Sequence, residues 1–266
     1  MTLRLINFST LILIILTAGV SAAGVAFRHS IYPDQETLMA FVPTDMVNLV
    51  LGIPAIVVSM YLTWKQKLIG ILCFPGTLLY ITYVFTTYLF GLRINFLSIL
   101  YLILVILSLF IVTLLFMHMD GPRIRDQLKG HVPVRGSGYI LFIIGWIIVI
   151  FQAVSIMRSV LNHVHPDRVM VAQWITDLVV GSPVLIITGL LMIRRKMLGY
   201  TAGMGVLLLM TILFVSLIPF MIIEALLSGT AVKIPDLLII AVSSLICLIP
   251  LFLYIKGILM VTREPG

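Results

Sequence analysis

The segment Asn48-Leu49-Val50-Leu51-Gly52-Ile53-Pro54 returns as Asp177-Leu178-Val179-Val180-Gly181-Ser182-Pro183, at a shift of 129 positions. At the same shift Lys65 and Lys67 meet Arg194 and Lys196, Gly70 meets Gly199, and Gly76 meets Gly205. Both copies lie in strongly apolar surroundings. A chain built this way is expected to be a duplicated unit, with whatever it binds held between the two copies.

The solvent of that unit is lipid by expectation. The chain is 61% hydrophobic and 10% charged, with a mean hydropathy of +1.22, against ~25% charged for a soluble domain. Eight apolar runs are long enough to cross a bilayer: 5–27, 44–64, 68–91, 95–118, 137–158, 170–193, 197–223 and 236–257. About twenty helical residues cross the hydrocarbon, and only helices satisfy their own backbone there. The predicted fold is all-α, with eight transmembrane helices in two tandem four-helix repeats. The first run carries Arg4 and small residues at Ser21-Ala22-Ala23, as a signal peptide would. The equivalence with run five favours a retained helix.

The basic residues set an orientation. With the N-terminus inside, twelve Lys and Arg fall on the inner side and five on the outer, a positive-inside bias. Eight spans then place both termini in the cytoplasm of a cell-membrane protein. The first repeat covers 1–118 and the second 137–266. The basic loop 119–136 links them on the cytoplasmic side, with Gly121-Pro122 and Gly136-Ser137 as breakers. Four spans per repeat insert both copies the same way round, so the pseudo-axis lies along the membrane normal. The net charge of +7 sits in short loops and forms no continuous basic face, so nucleic acid is not an expected partner. Membrane lipid and a small-molecule ligand are. Oligomeric state and cofactors are not readable.

Candidate site residues come from the repeat. Asn48 and Asp177 are equivalent, and Asp177 lies about seven residues inside its run, ~10 Å along a helix. An ionisable group at that depth marks a functional site by default. The competing reading makes Thr44-Asp45 and Thr176-Asp177 helix caps, with the carboxylate on free N–H groups. Pro54 and Pro183 follow six residues later. Each removes a backbone donor and kinks its helix, which would open carbonyls toward a central cavity. Gly76, Tyr80, Tyr83 and Thr87 are spaced 4, 3 and 4 and share a helix face. That face reads either as a hydroxyl-lined pocket with Tyr80 and Tyr83 as ligand contacts, or as a helix seam. Gly199-xxx-Gly203 reads as packing.

Weaker signals remain. His163 and His165, followed by Pro166-Asp167, are marginal metal candidates, since zinc takes three or four ligands. Trp174, Tyr32, Tyr61, Trp64 and Tyr200 lie near run ends and read as interfacial anchors. Cys73 and Cys247 sit within apolar runs as small hydrophobes. There is no HExxH, P-loop, GxSxG, CxxC or GxGxxG. The motif Asp-Leu-x-x-Gly-x-Pro with Arg-Arg-Lys-x-x-Gly-Tyr at 194–200 resembles a pattern in uncharacterised prokaryotic multi-span proteins. That resemblance implies a prokaryotic origin and no activity. The functional expectation is a permease-like protein binding a small molecule or lipid between its halves. The rivals are an intramembrane lipid or isoprenoid enzyme using Asp45, Asp177, His163 and His165, and a non-catalytic assembly subunit.

Overall fold

The computed structural model describes residues 2–261, and among these every regular element is helical. Eight helices are long and apolar enough to cross a membrane. The first is α1, Thr2–Ala26, followed by the single turn α2, Arg28–Ile31. The second span is continuous over Gln35–Trp64. It comprises α3 (Gln35–Val47), a π turn at Asn48–Gly52 and α4 (Ile53–Trp64). Then come α5 (Leu68–Gly91) and α6 (Phe96–His118). A short helix, α7 (Gly121–Leu128), lies in the basic loop, where Ile124 and Leu128 are buried. The remaining spans are α8 (Val134–Leu161), the pair α9 (Arg168–Thr176) and α10 (Ser182–Ile193) around a second π turn at Asp177–Gly181, α11 (Met197–Ser228) and α12 (Ile234–Val261).

The fifth and eighth spans begin at Val134 and Ile234 rather than at 137 and 236, and two further starts bear on the site. The second span begins at Gln35 rather than 44, and the sixth at Arg168 rather than 170. Glu36 and Asp34 mask the first by lowering local hydropathy. The sixth is fixed by a true N-cap, the Asp167 carboxylate accepting from the Met170 N–H at 2.6 Å. Asp45 and Asp177 therefore lie within their helices, and the capping reading of both is wrong. The anchor reading also fails for two residues. Tyr32 and Tyr200 are buried, whereas Tyr61 and Trp64 are exposed.

Each π turn lies just before a proline, although Pro43, Pro75, Pro219 and Pro250 sit in helices without such a turn. Pro54 and Pro183 have no N–H, and their rings crowd the carbonyl four residues back. Widening the helix by one residue relieves that crowding. Ile53 donates its N–H to the Asn48 carbonyl, and Ser182 to that of Asp177, each five residues back. The Ser182 hydroxyl donates to the Asp177 carbonyl as well. The carbonyls of Asn48 and Asp177 are thus bonded within the helix rather than opened to a cavity.

Central packing runs along α5 and α11. A Cβ on Gly76 would lie 1.9 Å from the Gly205 carbonyl oxygen, so only glycine lets the two backbones touch. Helix α5 also packs on α9, and α11 on α3. The short connections after α4 and α10 each have a left-handed residue at their centre, Gln66 (φ 54°) and Arg195 (φ 51°). Gly199 and Gly203 pack against α10 at Leu191 and Met192.

Candidate functional site: two carboxylates bonded by one helix

Helix α5 is the most buried span, and it carries the hydroxyls that meet both π turns. Tyr80 donates to Asn48 Oδ1 at 2.8 Å, and its ring lies over Gly52, where a Cβ would come within 2.8 Å. Three residues on, Tyr83 donates to Asp177 Oδ1 at 2.6 Å, with its ring over Gly181. A spacing of three turns the two side chains toward neighbouring sectors of one helix face. Thr87, a turn further, donates to the Thr176 hydroxyl at 3.2 Å. On the face predicted from Gly76, Tyr80, Tyr83 and Thr87, the tyrosines bond the two repeated segments, Thr87 bonds Thr176, and Gly76 meets Gly205, so the face is a helix seam.

Asp177 is 8% exposed and accepts from three neutral groups. These are Tyr83, the Gln152 amide of α8 and the Gln173 amide at 3.1 Å. The Gln173 amide also donates to the Tyr83 hydroxyl at 2.7 Å. The carboxylate has donors on both oxygens and no cation. Among the described residues the sole ion pair is Arg93–Asp34, at 3.4 Å and away from this cluster. An ionised carboxylate at this depth is expensive unless paired or reached by water.

A second carboxylate, Asp45, is fully enclosed on the other side of α5. Tyr32 donates to its Oδ2 at 2.7 Å and Tyr88 to its Oδ1 at 3.0 Å. Tyr32 lies outside the spans, and burial, with Asp45 adding to it, holds its phenol far above the ordinary tyrosine range. Ser21 of α1 stands close by and accepts from the Asn48 amide at 3.5 Å. Polar groups thus run from Tyr32 and Asp45 through Ser21 and Asn48 to Tyr80. Gly24 makes room for Asp45, since a Cβ there would lie 1.9 Å from Asp45 Oδ2. Gly24→Ala should therefore displace Asp45, break the Tyr32 bond and lower the melting temperature, at a cost of about 2 kcal/mol. A denaturation midpoint in detergent equal to that of the unaltered protein would contradict this.

Pro54 and Pro183 stand beside the site, each two residues after its π turn. Pro183 also lines an apolar groove of about 280 Å³ with Leu79, Val112, Phe116, Ile187 and Val206. His163 and His165 are exposed in the loop after α8. Among the described residues no three His, Cys, Asp or Glu side chains come together as metal ligands. The histidines also stay apart from Asp45 and Asp177, which are bonded to tyrosines and glutamines. Sequence reading missed Gln152 and Gln173. Their only signal was an amide inside an apolar run.

No protein-family model matches the chain, and neither a curated protein nor a solved structure matches it.

Proposed function

We propose that the chain is a permease-like polytopic membrane protein. In this reading 1–118 and 137–266 are tandem four-helix repeats joined by the loop 119–136, and a small molecule binds between them at Asp177. Four correspondences at the shift of 129 support the duplication: the π turns, the prolines after them, Gln66 with Arg195, and Gly76 resting on Gly205. A residue touching its own counterpart is what a two-fold axis requires. The exchange of α5–α9 for α3–α11 fits the same axis.

The observation that carries the functional reading is the Tyr83–Asp177 bond. A carboxylate of the second repeat, at span depth and without a cation, is held by a tyrosine of the first. Such a bond joins the halves while the site is closed and is broken when they part. π turns are common at functional sites, and these two place helix joints beside Asp177 and Asn48. By the positive-inside bias, both termini and the loop 119–136 face the cytoplasm.

The test is thiol access in a protein lacking Cys73 and Cys247. Thr87→Cys should react with a membrane-impermeant reagent applied from either side, because a permease site opens to both. Protection from both sides would leave an assembly subunit. In the same background Gly130→Cys should label from the cytoplasmic side alone, and labelling from the outer side would reverse the topology.

A further inference from the structure

The Asp177 cluster and the apolar groove are built on the same two helices, α5 and the sixth span. Pro183 lies six residues beyond Asp177, ~9 Å along the helix axis, and it lines the groove. Leu79 lies one turn before Tyr83 on α5 and lines the groove too. These helices run in opposite directions, since the sixth span descends from the side on which α5 ends. Both therefore put the groove on the same side of the carboxylate, toward the connections at 65–67 and 194–196. Val112 and Phe116 near the end of α6, and Ala202 near the start of α11, close it at that level. The groove is open along one side, and Ile187 on its wall is 59% exposed.

The two parts have complementary chemistry for one ligand. The polar end carries a single formal charge, negative, and no Lys or Arg pairs with it. Its other groups are amides, hydroxyls and a tyrosine ring, which accept from or stack on a cation. In the closed site the three N–H and O–H donors of Gln152, Gln173 and Tyr83 occupy positions that the N–H groups of an ammonium would take. Rotating the two amides turns oxygen toward the incoming group. The other end offers only apolar contact beyond Thr188.

Resting on the permease reading above, we infer that the site holds a cationic amphiphile, with an ammonium head at Asp177 and an alkyl body in the groove. The head supplies the charge that Asp177 lacks. The body enters from the bilayer through the open side.

The experiment compares decylammonium, decanoate and 1-decanol, which share a tail and differ in head charge. The full chain is held in phosphatidylcholine nanodiscs, and ligand binding is read from the shift in melting temperature. Decylammonium should stabilise the protein, and the other two should not. Asp177→Asn should weaken decylammonium at least ~tenfold, the range for losing a charged hydrogen-bond acceptor. Ile187→Trp fills the groove and leaves the polar cluster intact. It should weaken decylammonium while sparing butylammonium, whose short chain stays near the head. Equal stabilisation by all three decyl compounds, or no effect of either substitution, would overturn the inference as simple partitioning into lipid. Preference for decanoate would overturn it in favour of an acid ligand. The permease reading is judged separately by Thr87→Cys access from both sides, so the two can fail independently.

Discussion

Gly76→Ala should unfold the centre of the molecule, although it adds one methyl group. The new Cβ would overlap the Gly205 carbonyl oxygen, and neither partner is a flexible side chain that can rotate away. The helices α5 and α11 must separate, which breaks the tightest contact between the halves. Overpacking of this kind costs about 3 kcal/mol or more when backbone is the obstacle. The control is Gly19→Ala on α1, where a Cβ meets nothing within 4 Å. It should change stability by no more than about 1 kcal/mol, in the favourable direction expected for alanine in a helix. Thermal or denaturant midpoints in one detergent compare the two. Similar midpoints for both variants would show that the Gly76–Gly205 approach is not what joins the halves.

The second large effect concerns Asp177. Asp177→Ala removes the acceptor of Tyr83, Gln152 and Gln173 together and leaves three donors unpartnered in an apolar setting. Each such group costs ~1–3 kcal/mol, so a loss of about 3 kcal/mol is expected. Asp177→Asn keeps an oxygen for Tyr83 and removes a charge from a low-dielectric site, and these effects oppose each other. It should stay within about 1 kcal/mol of the unaltered protein and yet lose ligand binding. The same unfolding midpoints, read for both variants, decide it. An alanine variant as stable as the asparagine one would mean that the three hydrogen bonds contribute little.

The spans were legible because about twenty apolar residues in a row admit one solution in lipid. The start of α3 was not, because Glu36 and Pro43 break the apolar run while the backbone continues as helix. The spacing of Gly52-x-Pro54 and Gly181-x-Pro183 foretold a disturbed helix. It did not foretell a π turn, since the choice between opening a kink and widening the helix depends on what packs over the glycine. Here Tyr80 and Tyr83 lie there. Asp177 and Tyr83 were each legible as polar groups at span depth. Their bond was not, because it joins residues 94 positions apart. Asp45 was misread for a similar reason. Thr44-Asp45 has the look of a cap, and its true partners, Tyr32 and Tyr88, come from a loop and another helix.

Asp45 is fully enclosed, and Asp177 keeps 8% exposure. The positions equivalent to Tyr80 and Tyr83 on α11 are Leu209 and Ile212, so α5 alone serves both π turns. Under the proposed duplication, this asymmetry would leave one site rather than two.

In the proposed permease the halves move against each other about the Gly76–Gly205 contact, opening and closing the site at Asp177. Spin labels at Gln66→Cys and Arg195→Cys, on the two equivalent connections, report it through the distance between them in nanodiscs. Two resolved distances, with populations that change when decylammonium is added and stay fixed in Asp177→Asn, are the predicted result. A single narrow distance, unchanged by either treatment, would contradict the account.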